Sequence, residues 1–397
     1  MRISTYGAYQ QGLSMMQQIQ AALDRTQQQI SSGQRILTPS DDPIAAARAL
    51  ELRETLGRLE QFDRNGNIAR NRLSDEEVAL GSVNNVLQRV RELALQANNA
   101  TQSDETRSLI AIEMRQQLDQ LVQLANQQDG NGRYLFSGNL DDTTPITRNG
   151  ANFMYNGDQG TRMIEIGENR LIADGNSGAE VFFRIRNGNG IFTTTAAATN
   201  TGSVVSGSGS LVDPTQYDQD SYTLNFIDPL NYEVQDSSGT VVATGGYQSG
   251  SSVSFRGIEF SLDGQPQAGD SFAIEPSRFQ DAFSTIRQLA DAIDAPVNDN
   301  ATRASLNNMV NAGILGIDQA IGKVLDVRTQ VGSRLSAIDS QGDSNGAFAL
   351  TVQSTLGELE DLDYAEALSR LSLQMTTLEA AQQTFIRTQQ LSLFNFF

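Results

Sequence analysis

The residues that usually do chemistry near neutral pH are missing from this chain. None of its 397 residues is a histidine or a cysteine. A Ser-His-Asp triad, a Cys-His pair, an ordinary zinc site and any disulfide are therefore excluded, and so is the commonest general base. Carboxylate or lysine catalysis survives formally, but Lys323 is the only lysine. Gly316 to Lys323 superficially resembles a phosphate-binding loop. That motif needs four residues between its glycines and a Ser or Thr after the lysine; here five intervene and Val324 follows. Asp339-Ser-Gln-Gly-Asp343-Ser-Asn345-Gly346 scatters oxygen ligands without the spacing or the closing Glu of a calcium loop, and reads as a polar break between two helices. The 47 carboxylates include no pair distinguishable as acid and base. They read as solvated surface. No catalytic, metal-binding or cofactor-binding residue is expected, so the chain reads as a non-enzyme.

The net charge of −19 argues against nucleic acid, because no basic stripe can neutralise phosphates, and against anionic membrane surfaces. The charge is uneven. Residues 191–277 carry ten acids and one base, Arg256, whereas residues 1–60 carry six of each. A neutral terminus can pack against copies of itself, while an acidic middle stays hydrated. The first residues lack the apolar core of a secretory signal. No run approaches the roughly 18 apolar residues of a membrane span, so membrane insertion is not expected.

The elements that remain to be placed are mostly long helices, since only eight prolines occur. Ile19, Leu23, Thr26, Ile30, Gly33 and Leu37 alternate at spacings of four and three, a heptad seam weakened by Thr and Gly. Asp42 then suits an N-cap and Pro43 the first turn of a new helix. Leu80, Val83, Leu87, Val90, Ala94 and Ala97 form its seam, and Ile110, Met114, Leu118 and Leu121 mark a shorter helix. From about Arg133 the period changes. Asn131-Gly132, Asn149-Gly150 and Asn156-Gly157 are turn dipeptides of the kind that join strands, and residues 162–166 alternate as a strand does. Residues 193–210 read as an exposed loop. Strands return at Tyr222, Leu224 and Phe226, then at Val253 and Phe255. The apolar face switches phase at Gly257, as at a β-bulge, and Phe272 and Ile274 close the β unit. Helix resumes near Phe279 with a seam of Ile317, Ile321, Val324, Val331, Leu335 and Ile338. After Gly342 and Gly346 a last helix carries Leu368, Leu371, Met375, Leu378 and Phe385, followed by an apolar tail with Leu391, Leu393, Phe394, Phe396 and Phe397.

The expected fold class is α+β: a long antiparallel coiled-coil rod made by the N- and C-terminal segments, with a β-rich domain inserted in the middle. The expected divisions are an assembly helix at 1–42, rod segments at 43–190 and 278–346, a variable β insert at 191–277, and a second assembly helix at 347–397. The outermost seams are too polar and Gly-broken to be stable alone, since such helices gain most of their stability from packing. They are expected to be largely unfolded in the free monomer and to fold against neighbours.

Several stretches resemble one family. Met1-Arg2-Ile3-Ser4-Thr5, Ser31-Ser32-Gly33-Gln34-Arg35-Ile36-Leu37 and Pro39-Ser40-Asp41-Asp42-Pro43 are similar to the opening of the bacterial flagellin superfamily. The Pro-Ser-Asp-Asp-Pro form lies closer to its hook-associated members at the hook–filament junction than to filament flagellins. Tyr134-Leu135-Phe136-Ser137-Gly138, Val331-Gly332-Ser333-Arg334-Leu335, Asp361-Leu362-Asp363-Tyr364-Ala365-Glu366-Ala367 and the ending Ser392-Leu393-Phe394 fit the same pattern. The similarity covers about 1–190 and 278–397. It implies an extracellular structural adapter: a ring of copies between the hook-side junction protein (hook-associated protein 1) and the first flagellins. It also implies export as an unfolded chain, without a cleaved signal, through the flagellum's own channel with a cytoplasmic export chaperone. On that reading Ile19, Leu23, Ile30, Leu37, Leu368, Leu371, Met375, Leu378, Phe385, Leu391, Leu393 and Phe394 are subunit-packing residues. The rival within the family is a filament flagellin. The rival outside it, an enzyme or glycan-binding module in 191–277, finds no concentration of aromatics or paired carboxylates.

Overall fold

The computed structural model describes residues 5–394. Its helices are α1 (Thr5–Ser32), α2 (Pro43–Ala97), α3 (Asp104–Ala125), α4 (Ala282–Asp294), α5 (Asn300–Glu360) and α6 (Tyr364–Phe394). Between α3 and α4 run fifteen strands. These are β1 (Ile146–Asn149), β2 (Asn152–Tyr155), β3 (Met163–Gly167), β4 (Arg170–Ala173), β5 (Ile185–Arg186), β6 (Phe192–Ala196), β7 (Val205–Ser206) and β8 (Ser210–Leu211). Then come β9 (Tyr222–Asp228), β10 (Asn231–Gln235), β11 (Val241–Gly246), β12 (Ser252–Phe255), β13 (Ile258–Asp263), β14 (Ser271–Pro276) and β15 (Phe279–Gln280). Long helices at both chain ends thus flank a β-rich middle.

Side-chain caps set most helix starts, each satisfying an amide that the helix leaves orphaned. Asp42 accepts from the Ala45 amide at 3.0 Å, with Pro43 in the first turn. Ser103 caps α3, Asp281 caps α4, and Asp299 accepts from the Thr302 amide at the start of α5. Asp363 accepts from the Ala365 and Glu366 amides at the start of α6.

The chain divides into two compact units. One comprises Asn65–Asp339, the other Met1–Arg64 with Ser340–Phe397. The 65–339 unit holds two apolar cores. In the first, the seam Leu80, Val83, Leu87, Val90, Ala94 and Ala97 is buried together with Ile110, Met114, Leu118 and Leu121 of α3, Phe283 and Ile286 of α4, and Ile317, Val324, Val331 and Ile338 of α5. The hairpins β1–β2 and β3–β4 contribute Phe153, Ile166 and Ile172, and the Phe153 and Phe283 rings lie 5.3 Å apart. The second core is the interior of the β domain. A five-stranded antiparallel sheet ordered β11-β10-β9-β14-β6 meets β12-β13-β7, with β8 beside β13. Tyr222, Leu224, Phe226, Phe272 and Ile274 face Val253, Phe255, Ile258, Phe260 and Leu262. Where the chain enters and leaves this domain, β5 pairs with β15. Asn308 of α5 bonds the Ser206 amide at 2.8 Å and the Val204 carbonyl at 2.9 Å.

Three expectations are corrected. The phase switch at Gly257 is a hairpin turn and not a bulge: Arg256 and Gly257 both have positive φ (46° and 77°), and Phe255 pairs directly with Ile258. Two left-handed residues make the tight turn that matches strand twist. Residues 193–196 belong to β6, where β-branched threonines pair with β14, and Val204 is buried. Finally, α5 runs unbroken through Gly342 and Gly346. Two glycines cost a helix only about 1 kcal/mol each, and the chain breaks instead at Asp361–Asp363, before the new cap.

Candidate functional site

The terminal unit, residues 1–64 and 340–397, is built differently from the rest. Neither apolar core draws a single described residue from it. Its α1 and α6 pack antiparallel. Gly12 lies under Phe385, where a Cβ would come within 3.2 Å of the ring, and Gly33 lies beside the Tyr364 hydroxyl at the other end. The Tyr9 and Phe385 rings stand 5.1 Å apart. Between these ends the covered side of α1 carries Met16, Ile19, Leu23, Thr26 and Ile30 at the heptad spacing. Thr26 is fully covered because its hydroxyl donates to the Ala22 carbonyl at 3.0 Å, removing the cost of burying it.

A polar clasp joins the two chain ends. Gly33, with φ +72°, closes α1 in the left-handed conformation that glycine tolerates, and its carbonyl accepts from the Leu362 amide at 2.9 Å. The Arg35 amide donates to the Glu360 carbonyl at 2.7 Å, and its guanidinium to the Leu359 carbonyl at 2.7 Å. Arg53 pairs with Glu360 at 2.7 Å. Asp41 holds the intervening loop, accepting from the Leu37 and Thr38 amides at 3.0 Å each, from the Thr38 hydroxyl, and from Arg25. The Thr38 amide first, then the Thr38 hydroxyl, the Leu37 amide and Arg25, hold the Asp41 carboxyl below its ordinary value. The segments 31–43 and 361–367, read separately in the sequence as motifs, thus meet in space.

The apolar residues singled out on α6 fall on two faces. Leu371, Leu378 and Phe385 are half-buried, in line with the buried Ala367. Leu368 and Met375 are 54 % and 50 % exposed. With Tyr364 (51 %) and Ile386 (53 %) they lie within roughly 40° of helical arc: one uncovered stripe beside the covered one. Ile19, Leu23 and Ile30 are half-buried, and Leu37 is half-buried in the clasp loop. The side chains of Leu391, Leu393 and Phe394, and all of Phe396 and Phe397, lie outside the described residues. Further exposed apolar side chains that the seam did not mark are Leu13, Met15, Ile44, Leu50, Phe348 and Leu350. Their signal was available: each is a large apolar residue one or two positions out of phase with a seam.

The two motifs weighed for chemistry lie inside α5. Lys323 pairs with Glu180 at 3.1 Å, and the 339–346 stretch is helix. Among the described residues, no group of three or more His, Cys, Asp or Glu is arranged to hold a metal ion. No helix there is long and apolar enough to cross a membrane.

Residues 3–141 match the bacterial flagellin N-terminal helical region, and residues 314–397 match the bacterial flagellin C-terminal helical region. Flagellar hook-associated protein 3 of Escherichia coli (strain K12) is 25 % identical over 394 residues, 99 % of each chain. The crystal structure of Xanthomonas campestris FlgL superposes with a TM-score of 0.73 at 34 % identity, covering 77 % of this chain and 99 % of that one. The flagellar junction protein FlgL of Legionella pneumophila gives 0.73 at 30 % identity, covering 79 % of this chain and 100 % of that one. Flagellins such as that of Salmonella dublin align over only 28 % of this chain. With helices at both ends, a β-rich middle and end-to-end likeness to these proteins, the chain belongs to the flagellar hook-associated protein 3 (FlgL) family of the flagellin superfamily.

Proposed function

We propose that this protein is a non-catalytic adapter of the bacterial flagellum, forming a ring of copies between the hook-side junction protein (hook-associated protein 1) and the flagellin filament. It is exported without a cleaved signal, with a cytoplasmic chaperone, and works outside the cell. The observation that carries this reading is the terminal unit: long helices that lend no described residue to either apolar core and keep a stripe of large apolar side chains in water. Such surface is costly to leave exposed and marks an interaction face. The covered seam of Leu371, Leu378 and Phe385 joins α6 to α1. The open stripe of Leu368, Met375 and Ile386 is left for neighbouring copies and for the proteins on either side. A filament flagellin would share these ends, but the end-to-end similarity to hook-associated protein 3 favours the junction.

Separate substitutions on the two stripes test this. Met375→Asp should leave the circular dichroism and melting of the purified monomer unchanged while abolishing filament growth in a deletion strain, with flagellin released into the medium. Leu371→Asp should also weaken α1–α6 pairing in the monomer. Normal filaments from the Met375→Asp chain would defeat the proposal.

A further inference from the structure

Glu76 is a buried acid that the adapter role does not use. It lies on α2 in the 65–339 unit, with its side chain about 1 % exposed. Arg334 and Arg72 lie close enough to pull on its charge, yet neither bonds it. Arg72, one turn earlier on α2, donates to the Tyr134 carbonyl at 3.0 Å and to Asp141 at 3.3 Å, and has Asp129 and Asp174 as further ionic partners. Arg334 of α5 donates to the Gly175 carbonyl at 3.3 Å and to the Asn176 side chain at 3.2 Å. In the same cluster Arg162 pairs with Asp174 and Asp141, and Arg133 with Asp141. The bond that Glu76 does make is from a neutral amide, Asn176 Nδ2 to Oε1 at 2.8 Å; Oε2 has no hydrogen-bond partner. A carboxylate in that position would be a buried charge without a direct counter-ion, which is strongly disfavoured.

We propose that Glu76 sits in the fold as an uncharged carboxylic acid, and that its ionisation loosens the attachment of segment 127–177 to α2 and α5, making this part of the protein proton-sensitive. Two of the family motifs, Tyr134–Gly138 and Val331–Leu335, supply groups to the same cluster, so the cluster joins parts of the chain far apart in sequence. Burial pushes the Glu76 carboxyl up from 4.5 to about 7, outweighing the downward pull of the Asn176 amide, Arg334 and Arg72. The sign follows from linkage. Between pH 4.5 and about 7 the folded chain holds a proton that the unfolded chain has released. Raising the pH through that window weakens folding by up to about tenfold per unit. Above it this group adds no further loss.

The test uses the full chain. A carbon-13 NMR titration of the Glu76 carboxyl should give a midpoint near 7. Urea unfolding of wild type should lose stability from about pH 5 to 7, whereas Glu76→Gln, which keeps the shape without the charge, should lose that component. Amide protection at Gly175–Gly178, corrected for intrinsic exchange, should fall with pH in wild type only. A carboxyl midpoint near the ordinary 4.5, or equal pH slopes in both chains, would overturn the proposal. If the variant fails to fold, the titration of wild type still decides.

Discussion

Asp41 and Glu76 are carboxylates shifted in opposite directions by opposite surroundings. Asp41 is half-buried and wrapped in donors, so the folded chain binds its proton less readily than the unfolded chain does. Its contribution is complete above about pH 4 and is lost as the pH falls through the lowered value. Asp41→Asn should therefore lower terminal-helix melting at neutral pH and flatten its acid limb, both followed by far-ultraviolet circular dichroism. Glu76 acts the other way: its contribution is complete below pH 4.5 and is lost as the pH rises to about 7. Gly33 makes a second residue-scale test, because Gly33→Ala meets both a φ of +72° and the Tyr364 hydroxyl, 3.0 Å from the added carbon. The backbone term alone is about 1–2 kcal/mol, enough to lower the melting point of the terminal helices measurably. Asp42 and Pro43 were legible as a helix start because capping is local chemistry. The buried state of Glu76 was not, because it depends on Asn176 and Arg334, 100 and 258 positions away.

At the scale of elements, periodicity located the seams of α2, α3 and α5 because a heptad records which side of a helix is covered. It could not say by what. On α6 one run of apolar spacing turned out to serve two adjacent faces, and only the position of α1 divides Leu371 from Met375. Local propensity misled at Gly342 and Gly346. No atom outside their own helix lies within 4 Å of where a Cβ would stand at either glycine, so the double replacement Gly342→Ala/Gly346→Ala should strengthen the C-terminal part of α5. Each site should gain about 0.5–1 kcal/mol. The expected result is a higher melting temperature for the terminal unit, and an unchanged or lower value would show that those positions need glycine for another reason. Gly257 misled for a different reason: a phase change in apolar alternation looks the same whether a strand bulges or turns back.

For the whole molecule, the helix–β–helix order was readable throughout. The split into a unit that holds both large apolar cores and a unit that lends them no described residue was not, because coverage is set by packing. That split has a measurable consequence. Limited proteolysis of the dilute monomer should remove the segments outside about 65–339 first and leave that unit resistant, since local opening is easiest where few apolar contacts hold the backbone. Equal resistance along the whole chain would show that the terminal helices are stable without neighbours.

The clasp also sets an order of events. Gly33 and Arg35 bond partners at 360 and 362, more than 320 residues downstream. Whichever end of the chain is available first, this contact cannot close until nearly all of the chain is present. Bringing such distant ends together costs loop entropy until the intervening chain has compacted. The terminal helices are thus joined last, so the surface they present becomes complete only when both ends of the chain are in place.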